Sequence, residues 1–247
     1  LDSPLNNLLM KEEKNRLEAI KERYNHKSKE NWENRYESFL AQFTYDSNAI
    51  EGNTLSLQET SFILFENRTP QGKSLREINE VVNHKKAFDA LLEYKGDLNK
   101  KFICGLQENV VKNTLREDLK RQSGKYRSIQ VYIRGAGFIP PAPLEARREM
   151  KNLLSWHTKN KERVHPLIVA AYVHAAFECI HPFVDGNGRV GRLVLNFMLH
   201  NNKYPMINIP SKLRLVYYRC LEEARKGELR PFVKFLYERM MSAEVCI

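Results

Sequence analysis

The run from Val164 to Ile180, VHPLIVAAYVHAAFECI, is apolar around almost its whole circumference at helical spacing, and it constrains the fold more than any other stretch. A helix with one apolar stripe needs one neighbour, whereas a helix apolar all round must be enclosed by several. The chain therefore has to supply further helices to surround it, and their amphipathic patterns lie on both sides.

Upstream, Trp32, Tyr36, Phe39, Leu40 and Phe43 form one stripe of a helix that runs toward Glu51 and stops at Gly52. Ser56 with Glu59 and Ser74 with Glu77 make two capping-box patterns, opening helices through Phe62 and Phe65 and through Phe88 and Leu92, with NRTPQGK as the loop between them. Another helix is expected around Phe102 to Leu115, and the pattern returns at Leu144. RVGRLVLNFMLHNN, SKLRLVYYRCLEEARK and RPFVKFLYERMM complete the series, separated by Pro205, Pro210 and Gly227. One segment changes character: KYRSIQVYIRGAGFIPPAP carries β-branched and aromatic residues on both sides of Arg134 to Gly137 and is closed by prolines, which predicts a β-hairpin from about Lys125 to Ile139. The expected fold class is all-α, a helical bundle with one short β-hairpin.

A chain of 247 residues can bury such a core as a single large domain. It starts at Leu1 rather than Met, which predicts a trimmed N-terminus. Cys104, Cys179, Cys220 and Cys246 are far apart and show no paired spacing, so a reducing, cytoplasmic setting is expected. No apolar run approaches the roughly 20 residues that span a bilayer, so no membrane partner is expected. The net charge of +10 permits a polyanionic partner such as a nucleotide, but no nucleic-acid recognition motif accompanies it.

The chemistry concentrates in HPFVDGNGRVGR, residues His181 to Arg192. One imidazole, one carboxylate, three glycines, an Asn and two arginines fall within twelve positions. Phosphate transfer needs such a set: bare backbone and cations for phosphate oxygens, a hard oxygen for Mg²⁺, and a titrating base. Asn187 is placed to cap a helix starting at Gly188 or Arg189, whose free N–H groups would face an anion. Gly186, Gly188 and Gly191 also satisfy G-x-G-x-x-G, but the dinucleotide fingerprint needs a preceding strand, and helix precedes it here.

These twelve residues resemble the Fic signature, H-x-F-x-[D/E]-G-N-[G/K]-R-x-x-R, with every specified position satisfied, and the resemblance extends from roughly Thr44 to Leu236. It implies a Fic-type helical bundle: an N-terminal helical extension over 1–43, a core over 44–240 and a tail over 241–247. The core would contain an inhibitory helix at about 44–52, a flap hairpin at about 125–141 and the catalytic loop at 181–192. The implied activity is protein adenylylation, the transfer of AMP from ATP to a Ser, Thr or Tyr hydroxyl of a protein partner, which the chain itself could supply, with Mg²⁺ as cofactor.

The resemblance also assigns roles. His181 would be the general base, Phe183 the anchor of the loop, and Asp185 the Mg²⁺ ligand. Gly186, Asn187, Gly188 and Arg189 would form the anion hole, and Arg189 and Arg192 would neutralise the β- and γ-phosphates. Gly188, rather than Lys, favours AMP transfer over a phosphotransferase branch. SNAIEG, Ser47 to Gly52, resembles the family's inhibitory motif, in which Glu51 would pair with Arg192 and spoil ATP alignment, with Ser47 on the same helix face. Some relatives use that Glu to remove AMP, so de-AMPylation stays open. Val131, Tyr132 and Ile133 would be the flap's contact strand for a target, and Tyr217, Tyr218 and Leu221 would line the nucleoside pocket. The oligomeric state is left open, a homo-oligomer included. Three rivals are weighed against this reading: transfer of another nucleotide or phosphate-containing group, a basic helical nucleic-acid-binding regulator, and a zinc hydrolase using His174, Glu178 and His181, for which the ligand spacing is missing.

Overall fold

The structure is a computed structural model and describes residues 4–27, 32–133, 135 and 137–243. Ten α-helices are present among them: α1 (Lys11–Lys27), α2 (Trp32–Ile50), α3 (Leu57–Phe65), α4 (Leu75–Glu93), α5 (Lys100–Val110), α6 (Pro143–Asn160), α7 (Pro166–Ile180), α8 (Asn187–Asn201), α9 (Arg214–Arg225) and α10 (Arg230–Ala243). Short 3-10 turns at Pro4–Leu8, Glu117–Gln122 and Ser211–Leu213 link them. No helix among the described residues is long and apolar enough to cross a membrane.

The all-round apolar run is α7. It packs against α6, α8, α9 and α10, and Leu167, Ile168, Ala170, Ala171 and His174 are fully enclosed. Pro166 stands in its first turn, where a missing N–H costs nothing, and His165 Nδ1 accepts from Leu167 N at 3.2 Å. The partner of α7 is α8, buried along nearly its whole length and also touching α2, α4 and α5. The six residues joining α7 to α8 are therefore held between two core helices, and they carry the first half of the signature, whose second half opens α8.

Both predicted capping boxes are formed: Ser56 and Ser74 each accept from the backbone of Glu59 and Glu77, whose carboxylates return the bond. The expected helix to Leu115 ends at Val110 instead. Asn83 Nδ2 donates to the carbonyls of Val110 (3.3 Å) and Lys112 (2.5 Å), and Asn113 turns left-handed at φ 60°, so side-chain bonds replace a further helical turn. The expected boundary between 43 and 44 lies inside the continuous helix α2, and residues 244–247 of the expected tail lie outside the described residues. Asp46 of α2 takes bonds from Gln42, Asn208 and Ser211, which pins α2 across the segment leading to α9.

The expected hairpin at 125–141 contains no β-strand among the described residues, Arg134 and Ala136 lying outside them. Pro140 and Pro141 have no N–H, so the returning arm cannot donate to a ladder there. Side chains join the arms instead: Gln130 Nε2 donates to Pro140 O at 3.0 Å, and Arg127 Nη2 donates to Pro141 O. The segment is an extended flap without a sheet.

Candidate active site

In the last turn of α7 the Phe177 carbonyl accepts from His181 N at 2.9 Å; His181 closes the helix in a left-handed conformation, φ 50° and ψ 61°. Its Nδ1 lies 3.3 Å from Glu178 O. A carbonyl can only accept, so Nδ1 carries the hydrogen and Nε2 keeps a free lone pair. Burial lowers the imidazole to about 4, against the opposing pull of the Glu178 carbonyl and the Glu51 carboxylate. The ring is neutral at neutral pH, which is the state a base requires.

Phe183 is fully buried and packs on Tyr126 and Phe177. Asn187 does not cap α8 through its side chain. Gly186 is the N-cap, in the left-handed region at φ 83°, and Asn187 reaches back so that Oδ1 accepts from Phe183 N and Nδ2 donates to Phe183 O, each at 2.9 Å. This two-way bond fixes the shape of the loop and leaves the N–H groups of the first turn of α8 without a side-chain cap. Gly186 is required twice over, by its φ and because a Cβ there would stand 3.0 Å from Val111 and 3.1 Å from Val110.

Asp185 Oδ1 accepts from Gly186 N at 2.6 Å and from Arg189 Nη2 at 3.2 Å, while Oδ2 faces the exposed Arg76 at 3.4 Å. Gln107 holds the Asp185 carbonyl at 3.1 Å and accepts from Gly124 N at 2.7 Å, linking the loop to the base of the flap. Arg189 is buried and also meets Glu80 at 3.5 Å. Among the described residues no three His, Cys, Asp or Glu side chains converge on a metal position. A single partly exposed carboxylate fits Mg²⁺, which takes most of its ligands from water and substrate phosphates.

Arg192 is fully buried and turned toward α2: Nε donates to Ser47 Oγ (3.0 Å), and Nη2 to Ser47 O (2.8 Å) and Glu51 Oε1 (2.7 Å). Burial raises the Glu51 carboxyl, but Arg192, with Arg189 and His181 adding to it, outweighs burial and holds it below its ordinary value. The same pairing raises Arg192 despite its burial.

A cavity of about 270 Å³ brings together His181, Gly188, Arg192 and Glu51 with Tyr217, Tyr218, Leu221 and Ile133 of the flap. Asp185, Asn187, Arg189 and Ser47 do not line it; they support it from behind or flank it. Val131 is half-buried and Tyr132 is 75% exposed, and neither lines the cavity. Tyr217 is buried with its hydroxyl 2.7 Å from His174 Nε2, while Tyr218 presents part of its ring to solvent and donates to Ile50 O at 3.4 Å. His174 thus faces the core rather than His181.

Two further residues, Arg127 and Glu178, take on a place at the site that the sequence reading did not assign them. Arg127, in a polar stretch that reads like any surface loop, is fully buried; its Nε donates to His181 O at 2.8 Å, Nη1 to Ile129 O at 3.1 Å and its backbone N to Pro182 O at 2.8 Å. Glu178 lines the cavity with Oε1 unpartnered among the described residues, and burial pushes its carboxyl up to about 8. Gly191 makes room for it, since a Cβ there would stand 2.2 Å from that oxygen. A Glu one turn before a His is an ordinary helical residue until the facing helix is in place.

Residues 97–199 match the Fic/DOC family. Protein adenylyltransferase Fic of Drosophila persimilis is 36% identical over 199 residues, covering 79% of this chain and 38% of that protein. The protein of the same name from Drosophila melanogaster is 37% identical over 199 residues, with 79% and 39% covered. The chain therefore spans about two fifths of the length of these curated relatives. Among solved structures, a Fic domain containing signaling protein from Bacteroides thetaiotaomicron superposes with a TM-score of 0.85 at 26% identity, covering 94% of this chain and 95% of that one. Fic-1 from C. elegans gives a TM-score of 0.82 at 28% identity, with 98% and 72% covered.

Proposed function

The chain carries a domain of the Fic/DOC family, and from that premise we propose that it is a protein adenylyltransferase, moving AMP from ATP to a Ser, Thr or Tyr hydroxyl of a protein and restrained by Glu51. The carrying observation is one cavity that holds a neutral imidazole with a bare Nε2, the uncapped start of α8 and the guanidinium of Arg192.

In this reading His181 Nε2 takes the hydroxyl proton as the target oxygen forms its bond to the α-phosphorus. The bond from that phosphorus to the bridging oxygen breaks, and pyrophosphate leaves. The backbone of Gly186, Asn187 and Gly188 supplies N–H donors at the positive end of α8 to the phosphate oxygens. Arg189 and Arg192 supply cationic donors for the β- and γ-phosphates. Asp185, already oriented by Gly186 N and Arg189, would hold Mg²⁺, which supplies charge neutralisation on the phosphates. Tyr218 and Leu221, with Tyr217 behind them, form the wall for the nucleoside, and Val131, Tyr132 and Ile133 on the flap face the target.

The pairing of Arg192 with Glu51 and Ser47 withholds the γ-phosphate partner. A charge-assisted bond is worth about 1.5–3 kcal/mol, so its diversion weakens correct ATP placement roughly 10- to 100-fold. Mass spectrometry of the Glu51→Gly protein incubated with ATP and Mg²⁺ tests the reaction: an added AMP mass on a hydroxyl residue is expected and is lost in Glu51→Gly/His181→Ala. An added phosphate, or no adduct on the Glu51→Gly protein or on added proteins, would overturn it.

A further inference from the structure

A groove of about 810 Å³ lies outside the candidate active site, between α5 and the base of the flap. Lys100, Lys101, Lys125 and Arg147 line it against a single carboxylate, Glu108. None of the four cations makes an ion pair among the described residues, whereas the neighbouring Lys120 and Arg148 are paired with Glu117 and Glu145. Cys104 and Gly105 line its α5 side, and Gly105 has open space where a Cβ would be, so an extended backbone can approach closely.

The groove is continuous with the machinery already described. Its other wall is Gly124 to Tyr126; Gly124 N is held by Gln107, which also holds the Asp185 carbonyl. Tyr126 packs on Phe183 with ring centroids 5.5 Å apart, and the next residue, Arg127, grips the His181 carbonyl. A chain lying along the first arm of the flap toward Ile133 therefore passes the groove.

We propose that this groove is a docking site for an acidic, extended segment of the protein substrate, a reading that rests on the proposed transfer to a protein hydroxyl. Cations without a carboxylate partner, drawn from α5, α6 and the base of the flap, give such a segment complementary charge, which favours encounter and fixes register more than it adds raw affinity. From Lys125 to Val131–Ile133 is six to eight residues of chain. At about 3.3 Å per extended residue, a matching strand carries its Asp or Glu residues at a similar spacing from the modified hydroxyl. The groove offers no exposed aromatic platform for stacking bases, since Tyr126 is buried.

The test uses the full chain and a fluorescent Asp/Glu-rich peptide, followed by anisotropy without ATP. The variant Lys100→Glu/Lys101→Glu/Arg147→Glu should bind about tenfold or more weakly, and binding to the unaltered chain should fall with salt. Lys11→Glu/Lys159→Glu/Lys234→Glu changes net charge equally on other faces and should stay within about twofold of the parent. Lys100→Gln/Lys101→Gln, the milder change, should fall in between and guards against misfolding of the reversal. Equal loss in both triple variants, or in neither, would overturn the docking site, as would tighter groove-dependent binding of an oligonucleotide of matched charge. Peptide binding needs no turnover, so labelling by Glu51→Gly with an intact groove separates failure of the groove from failure of the transferase reading.

Discussion

The Glu51 carboxylate fills the space that a side chain at position 188 would need: Oε1 lies 2.1 Å from where a Cβ on Gly188 would stand, while accepting the 2.7 Å bond from Arg192. The helix end that would receive phosphate and the residue that would restrain it are thus in van der Waals competition. In the proposed reading Gly188 would serve the restraint as well as the anion site, because only hydrogen leaves room for the Glu51 carboxylate.

Gly188→Ala should therefore act on Glu51. The clashing atom is the end of a flexible side chain, so the carboxylate swings away at little cost to folding, and its bond to Arg192 weakens. Glu51→Gly should then stimulate AMP labelling several-fold less in the Gly188→Ala background than in the parent, because neighbouring residues that share one interaction are not additive. Equal stimulation in the two backgrounds, measured as initial labelling rates of the four proteins, would refute the coupling.

Arg127→Ala removes the guanidinium that holds the carbonyls of His181, Ile129 and Pro141. Stranding such buried acceptors costs about 1–3 kcal/mol, equivalent to roughly 2–12 °C in Tm for a chain of this size. Labelling in the Glu51→Gly background should fall at the same time, since the flap and the backbone of the base lose their common tie. Lys cannot reproduce three directed donors, so Arg127→Lys should rescue neither quantity. Differential scanning calorimetry and labelling rates decide it.

Asn187→Ala should lower both Tm and kcat without the side chain touching phosphate, because the paired bonds to Phe183 set the loop. The loss of two buried bonds is about 1–3 kcal/mol in stability. A change in KM for ATP alone, with Tm unmoved, would mean that Asn187 contacts the nucleotide directly.

Stability should fall as pH drops from about 6.5 toward 4. Burial lowers His84 and His174 to about 3 and His165 and His181 to about 4, so the unfolded chain binds protons in this range that the folded chain refuses. Their contribution is fully present above the unfolded value and disappears as pH falls through the folded values. Glu178, raised to about 8, has the opposite sign: its contribution is complete below the ordinary carboxylate range and fades as pH rises through 8. His84→Asn retains a hydrogen-bond partner for Thr44 Oγ1 but does not titrate, so urea unfolding at pH 5 and pH 7 should show a smaller difference than in the parent.

The order of helices, the two capping boxes and the central α7 were legible in sequence because each depends on neighbours three or four residues away. The site's chemical inventory at His181 to Arg192 was legible for a related reason: a short loop between two helices must carry its base, carboxylate and cations close together. The flap was expected as a hairpin because β-branched and aromatic residues flank 134–137 on both sides, but Pro140 and Pro141 remove donors that a ladder needs. Asn187 was misread because capping is the local expectation, and only the folded loop shows Phe183 within reach of both ends of its amide.

What the sequence by itself determined is therefore the helical frame and the list of reactive groups, since both follow from periodicity and short-range spacing. The motif resemblance anticipated the pairing of Glu51 with Arg192 across 141 residues; tertiary structure alone decided that the carboxylate stands over Gly188, that Arg127 is a buried clamp, and that Glu178 sits uncharged against the cavity. These facts depend on which helix faces which, and burial, which sets both the charge of Glu178 and the neutrality of His181, exists only once those faces have closed.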